Sequence, residues 1–160
     1  MSDDPTGLTL DQLAAEEAEL RFDQFDYDDA WRLGSMLVET ARARELPIAI
    51  DISRGGQQLF HAALPGSTPD NDAWIQRKIR SVLRFGRSSM HLSLQRSLDG
   101  RSLAEVSFVD QREFAAAGGC FPIHVKGCGI VGTVTVSGLP QVDDHRLVVQ
   151  AIRAFLTTRG

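Results

Sequence analysis

Asn71, Trp74 and Lys78 recur at i, i+3 and i+7. A helix through them sets an amide, an indole and an ammonium along one edge. Such an edge suits a cleft, where the lysine holds a carboxylate or phosphate while the ring stacks on a planar ligand. The same residues also suit plain packing, with Trp74 in the core or an interface and Lys78 snorkelling to water. His145 follows Asp143-Asp144 at the start of a helix. An acidic neighbour there would orient the imidazole as a general base; otherwise it is an exposed helical turn. Ser137-Gly138 stands between a β-branched run and that helix, where free backbone N–H groups would receive an anion. The acids at 143 and 144 oppose one.

The remaining polar groups read differently. Asp70 and Asp72 fall in a first helical turn and stabilise its dipole. Two acids two residues apart on a helix do not face each other, so they make a poor acid/base pair. Arg77, Arg80 and Arg84 lie opposite the apolar stripe of Ile75, Ile79 and Val82. With Arg87 and the two acids they are candidates for contacts between subunits. Cys120 and Cys128 are not a CxxC pair, and one sits in a turn while the other lies down a hairpin, a poor geometry for a bridge. His61, His91, His124 and His145 show no local metal spacing, so no metal site is expected.

The elements that must position these groups follow from periodicity. Thr9 and Gln12 form a capping box for a helix over 10–19, followed by a short strand at Leu20–Phe22. Asp26 caps a helix over 27–45. Alternating Ile48, Ile50 and Ile52 form a strand, Gly55-Gly56 a tight hairpin, and 58–64 the return strand. Thr68 and Pro69 open a helix to Phe85, which Gly86 ends. Met90, Leu92 and Leu94 alternate as a strand over 88–94, and a short helix is expected near 111–116. Strands at 120–126 and 130–136 precede a last helix over 141–157. Hairpins dominate the strand connections, so the fold class is α+β: a mainly antiparallel sheet with helices packed on it.

One domain over 8–160 accommodates all of this, with 1–7 as a flexible tail. A chain of 160 residues buries enough surface to need neither disulfide nor metal. A net charge of −4 argues against a nucleic-acid partner. No apolar run reaches the ~20 residues of a membrane span, so no membrane partner is expected. The polar, acidic first residues do not resemble an export signal, which makes the cytoplasm the expected location and both cysteines reduced thiols.

Five segments carry a family resemblance: Asp51-Ile52-Ser53-Arg54-Gly55-Gly56; Thr68-Pro69-Asp70-Asn71-Asp72-Ala73-Trp74-Ile75 with Arg77-Lys78; Arg84-Phe85-Gly86-Arg87-Ser88-Ser89; Gly118-Gly119-Cys120-Phe121-Pro122-Ile123; and Gly132 through Pro140. Over about 20–156 the chain resembles the family numbered 0303 in the UPF series, within the GlcG/HbpS-like "haem-degrading domain" superfamily. The resemblance implies a profilin-like fold, assembly into a homo-oligomer, and binding of haem or another small ligand. Some relatives are thought to ligate haem through a histidine on the helix before the Gly-Gly hairpin. Here that helix, 27–45, has no histidine, which counts against haem. The leading reading is an oligomeric module for a planar or anionic ligand. The alternatives are an enzyme using Lys78 and His145, and an oligomeric scaffold for a protein partner.

Overall fold

The computed structural model describes residues 6–158; residues 1–5 of the expected tail lie outside the described residues. Ten elements follow in order: α1 (Leu10–Glu19), α2 (Tyr27–Ala43), β1 (Ala49–Arg54), β2 (Gln57–Ala63), α3 (Pro69–Phe85), α4 (Ser89–Asp99), α5 (Leu103–Ser107), β3 (Cys120–Val125), β4 (Gly129–Ser137) and α6 (Gln141–Thr158). The strands form one antiparallel sheet in the order β2-β1-β4-β3.

Strand alternation divides the sheet into two unlike faces. Ile48, Ile50, Ile52, Phe121, Ile123, Val134 and Val136 pack with Leu33 and Leu37 of α2 and with Val148 and Ile152 of α6. On the other face Ala49 and Cys120 meet Ile75, Ile79 and Val82 of α3. That second face is narrow and partly polar: Asp51, Thr133, Thr135 and Ser137 are also buried. Asp51 is satisfied there by Ser53 Oγ and Gln58 Nε2, each donating at 2.7 Å. Phe60 turns toward α2, where Trp31 meets it edge-on with ring centroids 5.7 Å apart. His61, its neighbour, turns to the α3 face and meets Asp72 Oδ1 at 2.8 Å.

The caps at Thr9 and Asp26 and the glycine hairpin form as expected; Gly55 and Gly56 have φ of 58° and 81°. Two expected elements are absent. Residues 88–94 are not a strand: Ser88 caps α4, its Oγ accepting from His91 N at 3.2 Å. Met90, His91, Leu92 and Leu94 are all buried, so this helix has no long polar stripe to mark its period. His91 is thus helical, not in a strand. The helix near 111–116 is absent too. Asp110 Oδ1 accepts from Arg112 N at 2.8 Å and holds a turn, while Ser102 caps the short α5 upstream.

The two outer strands differ. On β3, Ser89 Oγ accepts from Cys120 N at 2.9 Å and contacts Cys120 O, Pro122 has no N–H, and His124 O accepts from Phe22 N at 2.8 Å. Residues 20–22 therefore make one parallel bridge, Phe22 to Val125, and not a full strand. Among the described residues no such backbone cover lies on β2. No helix among the described residues is long and apolar enough to cross a membrane.

Helix α1 is tied to the domain by Leu13, which packs on Met90 and Leu94, and by Glu17. Glu17 Oε1 accepts from Ser88 N at 3.2 Å, and Oε2 sits 3.8 Å from Arg87 with no hydrogen bond. Burial pushes the Glu17 carboxyl up to about 7, against the pull of the Arg87 guanidinium. The folded protein holds this proton more tightly than the unfolded chain. The resulting stability is complete below the ordinary glutamate range and is lost as pH rises through about 7. Glu17→Gln keeps the acceptor and removes the charge. We expect it to raise the melting temperature at pH 8 by about 5 °C, a gain of about 2 kcal/mol, and to leave it unchanged at pH 4.5. Thermal melts across pH check this; an unchanged pH profile would refute it.

Candidate functional site

Between the first half of α3, the chain entering β3 and the β4–α6 connection lies a cleft of about 290 Å³. Asn71, Trp74 and Lys78 line it from α3, Gly118 from the entry to β3, and Ser137, Gly138, Leu139, Gln141 and Asp144 from the connection. The i, i+3, i+7 spacing brings its three side chains to this cleft together with Ser137 and Gly138. Asp70 also lines it.

Each polar group has a structural reason to point where it does. Asn71 Oδ1 accepts from Thr68 N at 2.8 Å at the helix start, which fixes its amide plane. Its Nδ2 then points at Ser137 Oγ, 3.4 Å away. Lys78 is 3% exposed and does not snorkel to solvent. Its Nζ donates to Val136 O at 3.2 Å and to Asp144 Oδ2 at 3.5 Å. Gly119, at φ +131°, makes this position available: a Cβ there would sit 2.5 Å from Val136 O and 2.8 Å from Lys78 Nζ. Gln141 Oε1 accepts from Gly118 N at 2.9 Å and closes the opposite wall.

Asp144 is the centre the sequence reading missed. Its Oδ1 accepts from Leu139 N at 3.0 Å, and the Gly138 amide also donates to its carboxylate. The backbone N–H groups expected to receive an anion at Ser137-Gly138 are thus not free; the chain's own carboxylate occupies them. Burial raises Asp144 to about 6, opposed by Lys78 and the two amides. Burial likewise lowers Lys78, opposed chiefly by Asp144. Both members of the pair are drawn toward their neutral forms.

His145 is not part of this cleft. It is 1% exposed, and Nε2 lies 2.8 Å from Glu16 Oε1 of α1, so neither the acids before it nor solvent governs it. Helical spacing explains this: residue 145 is about 100° round from Asp144, toward α1. Asp72 pairs with His61. The arginines also have partners within the chain. Arg77 lies over the Trp74 ring at 4.0 Å, Arg80 donates to Glu113 O at 3.2 Å, Arg84 lies 5.7 Å from the Phe85 ring centre, and Arg87 faces Glu17. Cys120 is fully buried beneath α3 and its thiol is pushed up to about 12, too high for a nucleophile, while Cys128 is exposed in a turn.

A haem iron does not fit these residues. The cleft lining has no histidine, cysteine, methionine or tyrosine, and the amine that it has is bound to Asp144. At about 290 Å³ the cleft is also at the lower end of the range for small-molecule sites. Among the described residues no group of three or more His, Cys, Asp and Glu is placed to hold a metal ion.

Comparison with known proteins places this geometry in a family. Residues 25–153 match the model of "Haem degrading protein HbpS-like". A UPF0303 protein of Streptomyces avermitilis is 57% identical over 149 residues, 93% of this chain and 91% of that protein. The crystal structure of the Ybr137w protein superposes with a TM-score of 0.89 at 34% identity, covering 96% of this chain and 90% of that one. A PduOC:heme complex superposes with a TM-score of 0.66 at 19% identity, over 81% of this chain and 94% of that one, a likeness of fold alone.

Proposed function

Since the chain belongs to the HbpS-like family, among its UPF0303 members, we propose that it is a small-molecule-binding domain whose cleft takes a planar, uncharged ligand. The observation that carries this is the buried Lys78–Asp144 pair at the base of a cleft whose rim holds Trp74. Trp74 is 36% exposed beside that pair, with one face against Arg77, and supplies an aromatic surface for a flat ligand. Asn71 Nδ2 and Ser137 Oγ supply a donor and a donor/acceptor.

Charge decides against an anion. Lys78 is the cleft's one cation, and Asp144 already answers it, with Asp70 a second acid at the rim. A carboxylate or phosphate would enter beside two acids and compete for amides already engaged by Asp144. An amide or carbonyl ligand needs no counter-charge. Self-assembly of the domain belongs to the same proposal: Tyr27 and Trp31, one turn apart on α2, are 60% and 66% exposed and offer an apolar contact surface.

The chain has two tryptophans, so Trp31→Phe leaves Trp74 as the sole indole reporter. Titrating that protein with benzamide, benzoate and haemin tests the reading. Benzamide is expected to change Trp74 fluorescence saturably, benzoate about tenfold more weakly, and haemin to give no stoichiometric Soret shift. Asn71→Ala, checked for folding, is expected to weaken benzamide about tenfold, the worth of one buried hydrogen bond. Indifference of Trp74 to benzamide, or a preference for benzoate, would count decisively against the proposal.

A further inference from the structure

Of the chain's 17 basic residues only two are lysines, Lys78 and Lys126. Lys126 is exposed and pairs with Asp23. Lys78 is the buried one, and it occupies a site where an arginine's fork would be the usual means of holding a carboxylate. The property lysine has and arginine lacks is a nitrogen that can lose its proton and become a nucleophile. Resting on the ligand reading above, we propose that Lys78 captures aldehydes covalently, as an imine between its Nζ and a planar aldehyde lying against Trp74.

The parts stand in one cleft. Trp74 and Lys78 are four residues apart, neighbours on the same side of α3. Asp144 Oδ2 lies 3.5 Å from Nζ, with Oδ1 anchored by Leu139 N, so the carboxylate is a fixed proton acceptor. Gly119 lets the amine reach the cleft, since any side chain there would crowd it. Burial favours the uncharged amine.

The step balances without oxidant or reductant. The Lys78 ammonium gives a proton to Asp144. The amine lone pair forms a C–N bond to the aldehyde carbon, and the carbonyl π pair moves to oxygen. A proton moves from nitrogen to that oxygen, giving a carbinolamine. Asp144 then returns its proton to the hydroxyl, which leaves as water while the nitrogen lone pair closes the C=N bond. The product is a protonated imine beside the Asp144 carboxylate, the same charge pattern as before.

Benzaldehyde with sodium cyanoborohydride, at neutral pH on the intact protein, tests this. Reduction fixes the imine as a benzyl-amine, and peptide mapping by mass spectrometry assigns it to Lys78, Lys126 or the terminal amine. Lys78 is expected to carry at least about tenfold more label than Lys126 although it is the buried one, benzamide to compete the label away, and 8 M urea to erase the preference. Labelling of Lys126 at or above the level of Lys78 while benzamide still binds would overturn imine capture and leave the binding reading intact. If benzamide does not bind and Lys78 is unlabelled, both fall. No variant of Lys78 is needed, so a folding defect cannot obscure the outcome.

Discussion

Lys78→Met is expected to lower the melting temperature by about 10 °C at pH 8. Asp144 would be left buried beside an apolar chain, and stripping one partner from a buried pair costs about 3–5 kcal/mol. The loss has a pH signature. Burial already lifts Asp144 to about 6, and without Lys78 it rises further. A raised carboxyl is protonated, and needs no counter-ion, in acid. The deficit of Lys78→Met is therefore expected to shrink as pH falls toward 5. Adding Asp144→Asn, whose side-chain oxygen still accepts from Leu139 N, should recover most of the loss. Thermal melts of both singles and the double at pH 5 and 8 provide the check; additive losses in the double would show that the pair is not coupled.

Gly132→Ala is expected to be nearly as damaging for a purely steric reason. Gly132 lies in β4 opposite Arg54 of β1 and Ile123 of β3, and the β1 backbone closes on it. A Cβ there would run into the Ser53 carbonyl oxygen and sit 2.9 Å from Arg54 Cα. Neither obstacle is the end of a side chain that can swing away. The interior strands would have to separate, at about 3 kcal/mol or more. Gly55→Ala is the matched control. A Cβ on Gly55 meets nothing within 4 Å, and its φ of +58° alone costs about 1 kcal/mol. Denaturant midpoints of the two variants should differ accordingly. Equal losses would mean that the β1–β4 spacing adapts and that packing there is looser than described.

The cleft was half legible in the sequence. Helical spacing is a local rule, so Asn71, Trp74 and Lys78 could be placed on one edge without knowing the fold. The group that defines Lys78 could not. Asp144 is 66 residues further on and looks like an ordinary acid in a first helical turn; only the packing of α6 on the sheet beside β4 brings it to Lys78. His145 was misplaced for the complementary reason. Its local neighbours are acids, but the partner that holds it is Glu16, 129 residues away on α1. The strand expected at 88–94 shows the limit of periodicity itself. When nearly every residue of a short segment is buried, alternation and helical recurrence look alike, and Ser88 with its side-chain cap was the better guide.

The unlike edges of the sheet limit how copies of this chain could join by strand addition. At β3 a serine hydroxyl, a proline and the Phe22 segment leave no run of free backbone groups for a further strand. At β2 nothing among the described residues pairs with the outer backbone. Two copies meeting strand to strand through β2 would therefore consume the receptive end of each, and the joined sheet would present only closed ends. Growth by strand addition would stop at that pair, a finite twofold unit with no open edge left to extend into a fibre.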